Sequence, residues 1–381
     1  MVPGYIKKHI NSVILEYSGE IPLALYLKNY FRKNPSAGSK DRRLVAACVN
    51  NWFRCAKAFN IARNTTDDEL LNHLIIFCYK SLQTTKSNAV VSLRPFLEND
   101  YKIDSIQTDD LFPFALELSQ GINKTDWLNS MLSQPDLFIR TRKNIDEIAG
   151  HLLRNNIEFD IIEPDCIALP NGTQLDKYLK ETDYVVQDAS SRQTGLLFNA
   201  TKNESWWDCC CGAGGKSLML ADKQPDLDLT VSDIRPSIIK NLVARFQQYE
   251  LTQPKALCID ATDLNDVRGK LSGKLFDNII CDAPCSGSGT WARTPESMYF
   301  FDPATIPKFS NLQKKIALNA LQFLKKEGKF YYITCSVFQK ENEEIVNEIS
   351  QNTNIKLLST NLLNGTGIKA DSMFISTFSK E

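Results

Sequence analysis

Two cysteines stand just past strand-like runs in the second half of this 381-residue chain. One run, Phe276-Asp277-Asn278-Ile279-Ile280-Cys281-Asp282, leads into Ala283-Pro284-Cys285-Ser286-Gly287-Ser288-Gly289-Thr290. The other, Tyr331-Tyr332-Ile333-Thr334, leads into Cys335-Ser336. A cysteine of the apolar core more often sits within a strand, as Cys281 does, and Cys258 and the N-terminal cysteines are expected to be core residues too. A strand-end thiolate is a nucleophile. The three histidines, His9, His73 and His151, all lie outside this half, which disfavours a Cys–His hydrolase. Cysteine, Asp282 and a methyl donor together suit one reaction. C5 of cytosine is a poor nucleophile, and a thiolate that adds to C6 turns the ring into an enamine with electron density on C5. An acid near N3 must offset the developing charge, and Asp282 is suited to that. A second thiol could assist release of the first. Amine methylation would call for Asp/Asn-Pro-Pro-aromatic, which Asp282-Ala283-Pro284-Cys285 is not.

These residues need a sheet to hold them. Strands are expected at Trp206–Cys210, Leu229–Asp233, Ala256–Asp260, Phe276–Asp282 and Gly328–Cys335, and helices at Gly215–Asp222, Pro236–Gln248 and Phe309–Lys325. Strand and helix in alternation imply a mostly parallel sheet covered on both faces, with its ligand at the carboxyl ends of the strands. There, Asp208 is followed by Cys209-Cys210-Cys211-Gly212-Ala213-Gly214-Gly215-Lys216-Ser217 and a helix. Glycines let the backbone approach a ligand closely, and the helix start favours a negative group. Asp233 can meet ribose hydroxyls, Asp260 an adenine ring, and Asp282 points into the same crevice. The turn is not G-x-G-x-x-G, which lowers a nicotinamide dinucleotide as ligand. A phosphate-binding G-x-x-x-x-G-K-[ST] loop would need glycine where Cys210 stands.

Before this domain, Leu137–Arg142, Phe159–Glu163 and Ile167–Leu169 read as short strands around a helix from Ile145 to Asn155, a small α+β piece over 134–183. Residues 1–133 read as helices: Met1–Gly19, Pro22–Arg32, a long pattern from Asp41 through Trp52, Phe53 and Ala56, and Asp68–Tyr79 behind the caps Thr66 and Asp67. The third domain is 184–381. Hydrophobic residues are 43% and charged residues 23%, a globular balance, and no run is long and apolar enough to span a membrane. Lys+Arg number 44 against 45 Asp+Glu, which excludes binding of nucleic acid by bulk charge but not a local basic groove. Eleven cysteines without a leader suggest a reducing cytoplasm, and their spacing suits no zinc site. A monomer is expected.

At these motifs the chain resembles the RNA 5-methylcytosine methyltransferases of the NOL1/NOP2/Sun family, and in architecture the bacterial 16S rRNA branch. Asp282-Ala283-Pro284-Cys285-Ser286-Gly287 and Thr334-Cys335-Ser336 carry the resemblance, with Val186-Gln187-Asp188-Ala189-Ser190-Ser191, the Arg293, Pro295, Glu296 stretch and Glu341-Asn342-Glu343. It implies a Rossmann-like class I methyltransferase domain that uses S-adenosylmethionine, after a NusB-like helical RNA-binding domain. By the resemblance Cys335 is the nucleophile and Cys285 assists product release. Cys210, Cys211, Gly212, Ala213, Gly214, Gly215, Lys216, Asp233, Asp260 and Asp282 hold the cofactor. Arg42, Arg43, Arg140, Arg142 and Arg293 are candidates for RNA phosphates, whose contacts set register and affinity. The target base must leave its stack. The family usually has Cys-Ala-Ala-Pro-Gly-Gly-Lys-Thr where this chain has Cys210-Cys211-Gly212-Ala213-Gly214-Gly215-Lys216-Ser217, and Asp-Gly-Phe-Phe where it has Asp371-Ser372-Met373-Phe374. Two other readings stay open: the same chemistry on tRNA, and a non-catalytic RNA-binding ribosome assembly factor with a decayed cofactor turn.

Overall fold

In the computed structural model, residues 3–57 and 108–381 are described; the expected helix Asp68–Tyr79 lies outside them. Three helices open the chain, α1 (Gly4–Glu16), α2 (Leu23–Lys33) and α3 (Ser39–Cys55). Pro3 and Pro22 stand directly before the first two, and the Gly38 amide donates to Asp41 Oδ2 at 3.1 Å to close the start of the third. Ile6, Ile10, Val13, Leu27, Phe31, Val45, Val49 and Phe53 recur at helical spacing and form their shared core. Trp52 and Phe53 continue that core outward, with ring centroids 5.2 and 5.3 Å from Tyr299, on a short helix, Pro295–Tyr299, of the C-terminal half.

The small α+β piece is an antiparallel sheet ordered β2-β3-β1-β4, made of β1 (Leu137–Thr141), β2 (Asp160–Glu163), β3 (Cys166–Leu169) and β4 (Tyr184–Val186). The helix Ile145–Arg154 lays Ile148 and Leu152 on it. Since β4 completes this sheet, the sheet crosses the expected boundary at residue 183.

The large sheet has seven strands ordered β10-β11-β9-β8-β5-β6-β7. The parallel set is β5 (Ser205–Asp208), β6 (Asp228–Asp233), β7 (Lys255–Cys258), β8 (Phe276–Asp282) and β9 (Leu324–Thr334). From β5 the chain winds outward through β6 to β7, then returns to β5's other side with β8. The strand order therefore reverses between β5 and β8, where an open α/β sheet leaves a crevice at its carboxyl edge. Two antiparallel strands that the sequence reading passed over, β10 (Ile355–Leu363) and β11 (Met373–Lys380), finish the β9 side. β10 is an exposed edge in which two Leu-Leu pairs flank Ser359-Thr360-Asn361, so it lacks the alternation that marks a half-buried strand.

Boundaries moved where pairing overrode local pattern. The helix expected through Lys325 ends at Leu321, because the Phe276 amide donates to Phe323 O at 2.8 Å and draws Leu324 into β9. β5 and β7 stop two residues short of expectation, so Cys210 and Asp260 lie in the loops beyond them. No described helix is long and apolar enough to cross a membrane.

Candidate functional site

The turn after β5 is built on glycine. Gly212 and Gly214 have φ of +49° and +83°, where L side chains are strained. A Cβ on Gly214 would meet Leu242 Cδ1 at 2.9 Å, whereas one on Gly212 would point into open space. The Cys211 amide donates to Ser232 O at 2.9 Å, which ties the turn to β6. Beneath it Asp208 is buried: Oδ2 accepts from Ser217 Oγ at 2.5 Å and Oδ1 has no partner. Burial, reinforced by the Asp282 charge, pushes its pKa up to about 7 against the pull of Ser217 and Lys216. Lys216 Nζ reaches across the crevice to Asp282 Oδ2 at 2.6 Å.

Asp233 ends β6 and is gripped by Arg235, whose Nε and Nη2 each lie 2.9 Å from its oxygens. Burial alone would raise this carboxyl, but the Arg235 hydrogen bonds hold it below the usual carboxylate range. Asp260 turns back on its own loop, with Oδ1 accepting from the Thr262 amide at 2.9 Å and Thr262 Oγ1 at 2.6 Å. An open glycine cradle, a partnerless buried carboxyl oxygen and two strand-end acids fit a polar ligand with an amino group and a ribose, so the expected cofactor suits these residues.

The two cysteines meet. Sγ of Cys285 lies 3.3 Å from Sγ of Cys335, with both residues half-buried. The Gly289 amide donates to Cys335 O at 2.9 Å, and a Cβ on Gly289 would sit 2.1 Å from Ser372 O and 3.0 Å from Cys335 O. Only glycine permits that approach. The hydrogen bond to Cys335 and burial push the Cys285 thiol well up. Below the loops, Phe112, Trp127, Trp291, Phe301 and Phe338 form an aromatic floor, and Trp127 Nε1 donates to Ser288 O at 3.3 Å.

Three arginine candidates turn inward. Arg140 is buried, with Nε donating to Gln187 Oε1 at 3.0 Å and Nη2 to Asp222 at 2.5 Å. Arg142 joins the same Asp222 at 2.9 Å and donates to Thr182 O and Tyr249 O. Arg293 bridges Asp188 at 2.9 Å and Asp371 at 3.3 Å and donates to Asp136 O. These bonds take two of the five N–H donors of Arg140 and three each of Arg142 and Arg293, and they hold the arginines against the fold. Arg140 is also tied to the glycine turn, since its partner Gln187 donates to Gly215 O at 3.4 Å. Arg42 and Arg43 stay exposed, although Arg42 Nε donates to Ala37 O at 2.8 Å. Cys258, expected in the core, is only half-buried, its Sγ 3.3 Å from Ile234 O.

Sequence reasoning gave no role to Ser286, Ser336 or Glu341, which lie behind the cysteines in one network: Ser286 Oγ and Ser336 Oγ donate to Glu341 Oε2 at 2.5 and 2.6 Å. The only signal was a serine after each cysteine and an acid soon after the second.

The family described as "16S rRNA methyltransferase RsmB/F" matches residues 195–378. Ribosomal RNA small subunit methyltransferase B of Pasteurella multocida is 31% identical over 178 residues, 45% of this chain and 39% of that protein. The 28S rRNA (cytosine-C(5))-methyltransferase of Mus musculus is 28% identical over 184 residues, 47% of this chain and 23% of that protein. The matched stretch thus spans less than half the length of each relative. Among solved structures, that of PH0851 superposes with a TM-score of 0.74 at 16% identity, covering 100% of this chain and 99% of that one, a likeness of fold.

Proposed function

We propose the following reaction for this chain from the premise that, through its C-terminal half, it belongs to the NOL1/NOP2/Sun family: transfer of the methyl group of S-adenosylmethionine to C5 of cytosine in ribosomal RNA. The observation that carries the reading is the 3.3 Å contact between Cys285 and Cys335 at the carboxyl ends of two adjacent parallel strands, beside Asp282. One thiol can bond a ring while the other stays within reach of it.

Gly212, Asp233 and Asp260 would hold the cofactor, which supplies an electrophilic methyl group when bound. Cys335 Sγ, as thiolate, bonds C6 of an unstacked cytosine, and the ring electrons gather on C5. Asp282 works at N3, with the Lys216 ammonium behind it to offset the charge arriving there. Once C5 carries the methyl group, its proton passes to solvent water and the C5–H electron pair stays behind. The electron pair returns to the ring, the Cys335 carbon–sulfur bond breaks, and Cys285 assists that release. The helices α1 to α3, with exposed Arg42 and Arg43, are the proposed NusB-like RNA-binding part, and 16S rRNA the proposed target. A cytoplasmic monomer is part of the same proposal.

Purified protein with labelled S-adenosylmethionine should methylate unmodified small-subunit rRNA transcripts, and Cys335→Ala should not. Methylation of tRNA alone would move the substrate. Calorimetric silence toward S-adenosylmethionine, together with RNA binding, would replace the enzyme by an assembly factor.

A further inference from the structure

We infer that Glu341 is the positioning residue of the cysteine pair, clamping the loops that carry both sulfurs. Its side chain is fully buried, and its charge is balanced by hydrogen bonds alone, since among the described residues no Lys or Arg pairs with it. Oε1 accepts from the Ser286 amide at 2.8 Å and Gln313 Nε2 at 3.1 Å, while Oε2 accepts from Ser286 Oγ at 2.5 Å and Ser336 Oγ at 2.6 Å. Ser286 and Ser336 each directly follow a cysteine. Gln313 Nε2 also donates to Pro284 O at 3.0 Å, on the other side of Cys285. One carboxylate therefore grips both loops.

The clamp is itself anchored. Tyr332 OH donates to Glu341 O at 2.6 Å, Thr334 Oγ1 to Asn342 Oδ1 at 2.5 Å, and Asn342 Nδ2 to Ser336 O at 2.8 Å. The loop after β9 is thus sewn back to the strand that delivers Cys335. A buried carboxylate that accepts four hydrogen bonds is a costly arrangement, retained where geometry must be exact to a few tenths of an ångström. Its negative charge also opposes ionisation of the neighbouring Cys285, adding to burial and the Cys335 contact.

The inference rests on the proposed reading of the cysteines, but its test needs neither RNA nor methyl donor. Iodoacetamide labelling of the whole chain, resolved by site with mass spectrometry across pH 6–9, reads each thiol separately. In Glu341→Gln, which keeps the shape and removes the charge, Cys285 labelling near pH 8 should rise about tenfold, the equivalent of roughly one pKa unit. A Cys285 rate within about twofold of the parent chain would overturn the charge role. Ser336→Ala keeps the charge and cuts one arm of the clamp; the Cys285–Cys335 disulfide formed on adding diamide should then appear several times more slowly. An unchanged disulfide rate would overturn the clamp. Exposed Glu344→Gln is the control and should alter neither. Failure of RNA methylation by the parent chain would strike the reaction and leave these thiol measurements standing.

Discussion

Lys216 Nζ and Asp282 Oδ2 lie 2.6 Å apart, so the glycine turn after β5 and the cysteine loop after β8 share one ion pair across the point where the strand order reverses. The lysine is nearly buried and the aspartate keeps a third of its side chain exposed. Removing Lys216 leaves Asp282 without its ion-pair partner and reachable by water. Lys216→Met should therefore fold but lose methyl transfer by on the order of a hundredfold. Single-turnover assays check this; full activity would exclude the lysine from the chemistry.

The proposed reaction gives the two cysteines different tasks. Cys335→Ala should abolish turnover while calorimetric binding of S-adenosylmethionine persists. Cys285→Ala should trap RNA on Cys335, visible as a denaturant-stable band on a gel. Normal turnover without an adduct in the second variant would make Cys285 a bystander.

Asp208 has a stability signature. Its folded pKa of about 7 lies above the ordinary 3.8, so the folded state holds a proton that the unfolded chain releases earlier. Its contribution is full below pH 4 and fades as pH rises to about 7, by on the order of a few kcal/mol. Asp208→Asn removes that slope. In urea melts the variant should gain on the parent between pH 5 and pH 8; parallel curves would refute the assignment.

Gly289→Ala tests the close approach of the cysteine loop. The new methyl group would fall 2.1 Å from Ser372 O and 3.0 Å from Cys335 O. Overpacking of this kind costs roughly 1–3 kcal/mol. A lower melting temperature should accompany slower alkylation of Cys335. A variant as stable and as reactive as the parent would mean that the loop yields freely.

Local chemistry made several features legible. Phe276–Asp282 is an apolar run closed by an acid, and Pro236–Gln248 a helix opened by proline; both formed over the expected residues. Other features were not. The acid partners of Arg140 and Arg293 could not be read from the chain, because a charge does not reveal its partner; Asp222, Asp188 and Asp371 lie 82, 105 and 78 positions away from Arg140, Arg293 and Arg293 respectively.

The amino-acid order alone marked the residues proposed for the chemistry: strand-end thiols, acids near the ends of alternating strands, and a glycine turn after one of them. Those follow from residue type and from periodicity along the chain. Only the tertiary structure decided which groups meet. Cys285 and Cys335 are brought to 3.3 Å by the parallel pairing of β8 with β9, and Glu341 is closed behind them by the loops after those two strands and by Gln313 of the helix Ile306–Leu321. Sulfur–sulfur distance, desolvation and hydrogen-bond partnership depend on separation in space, which the packing of distant segments sets.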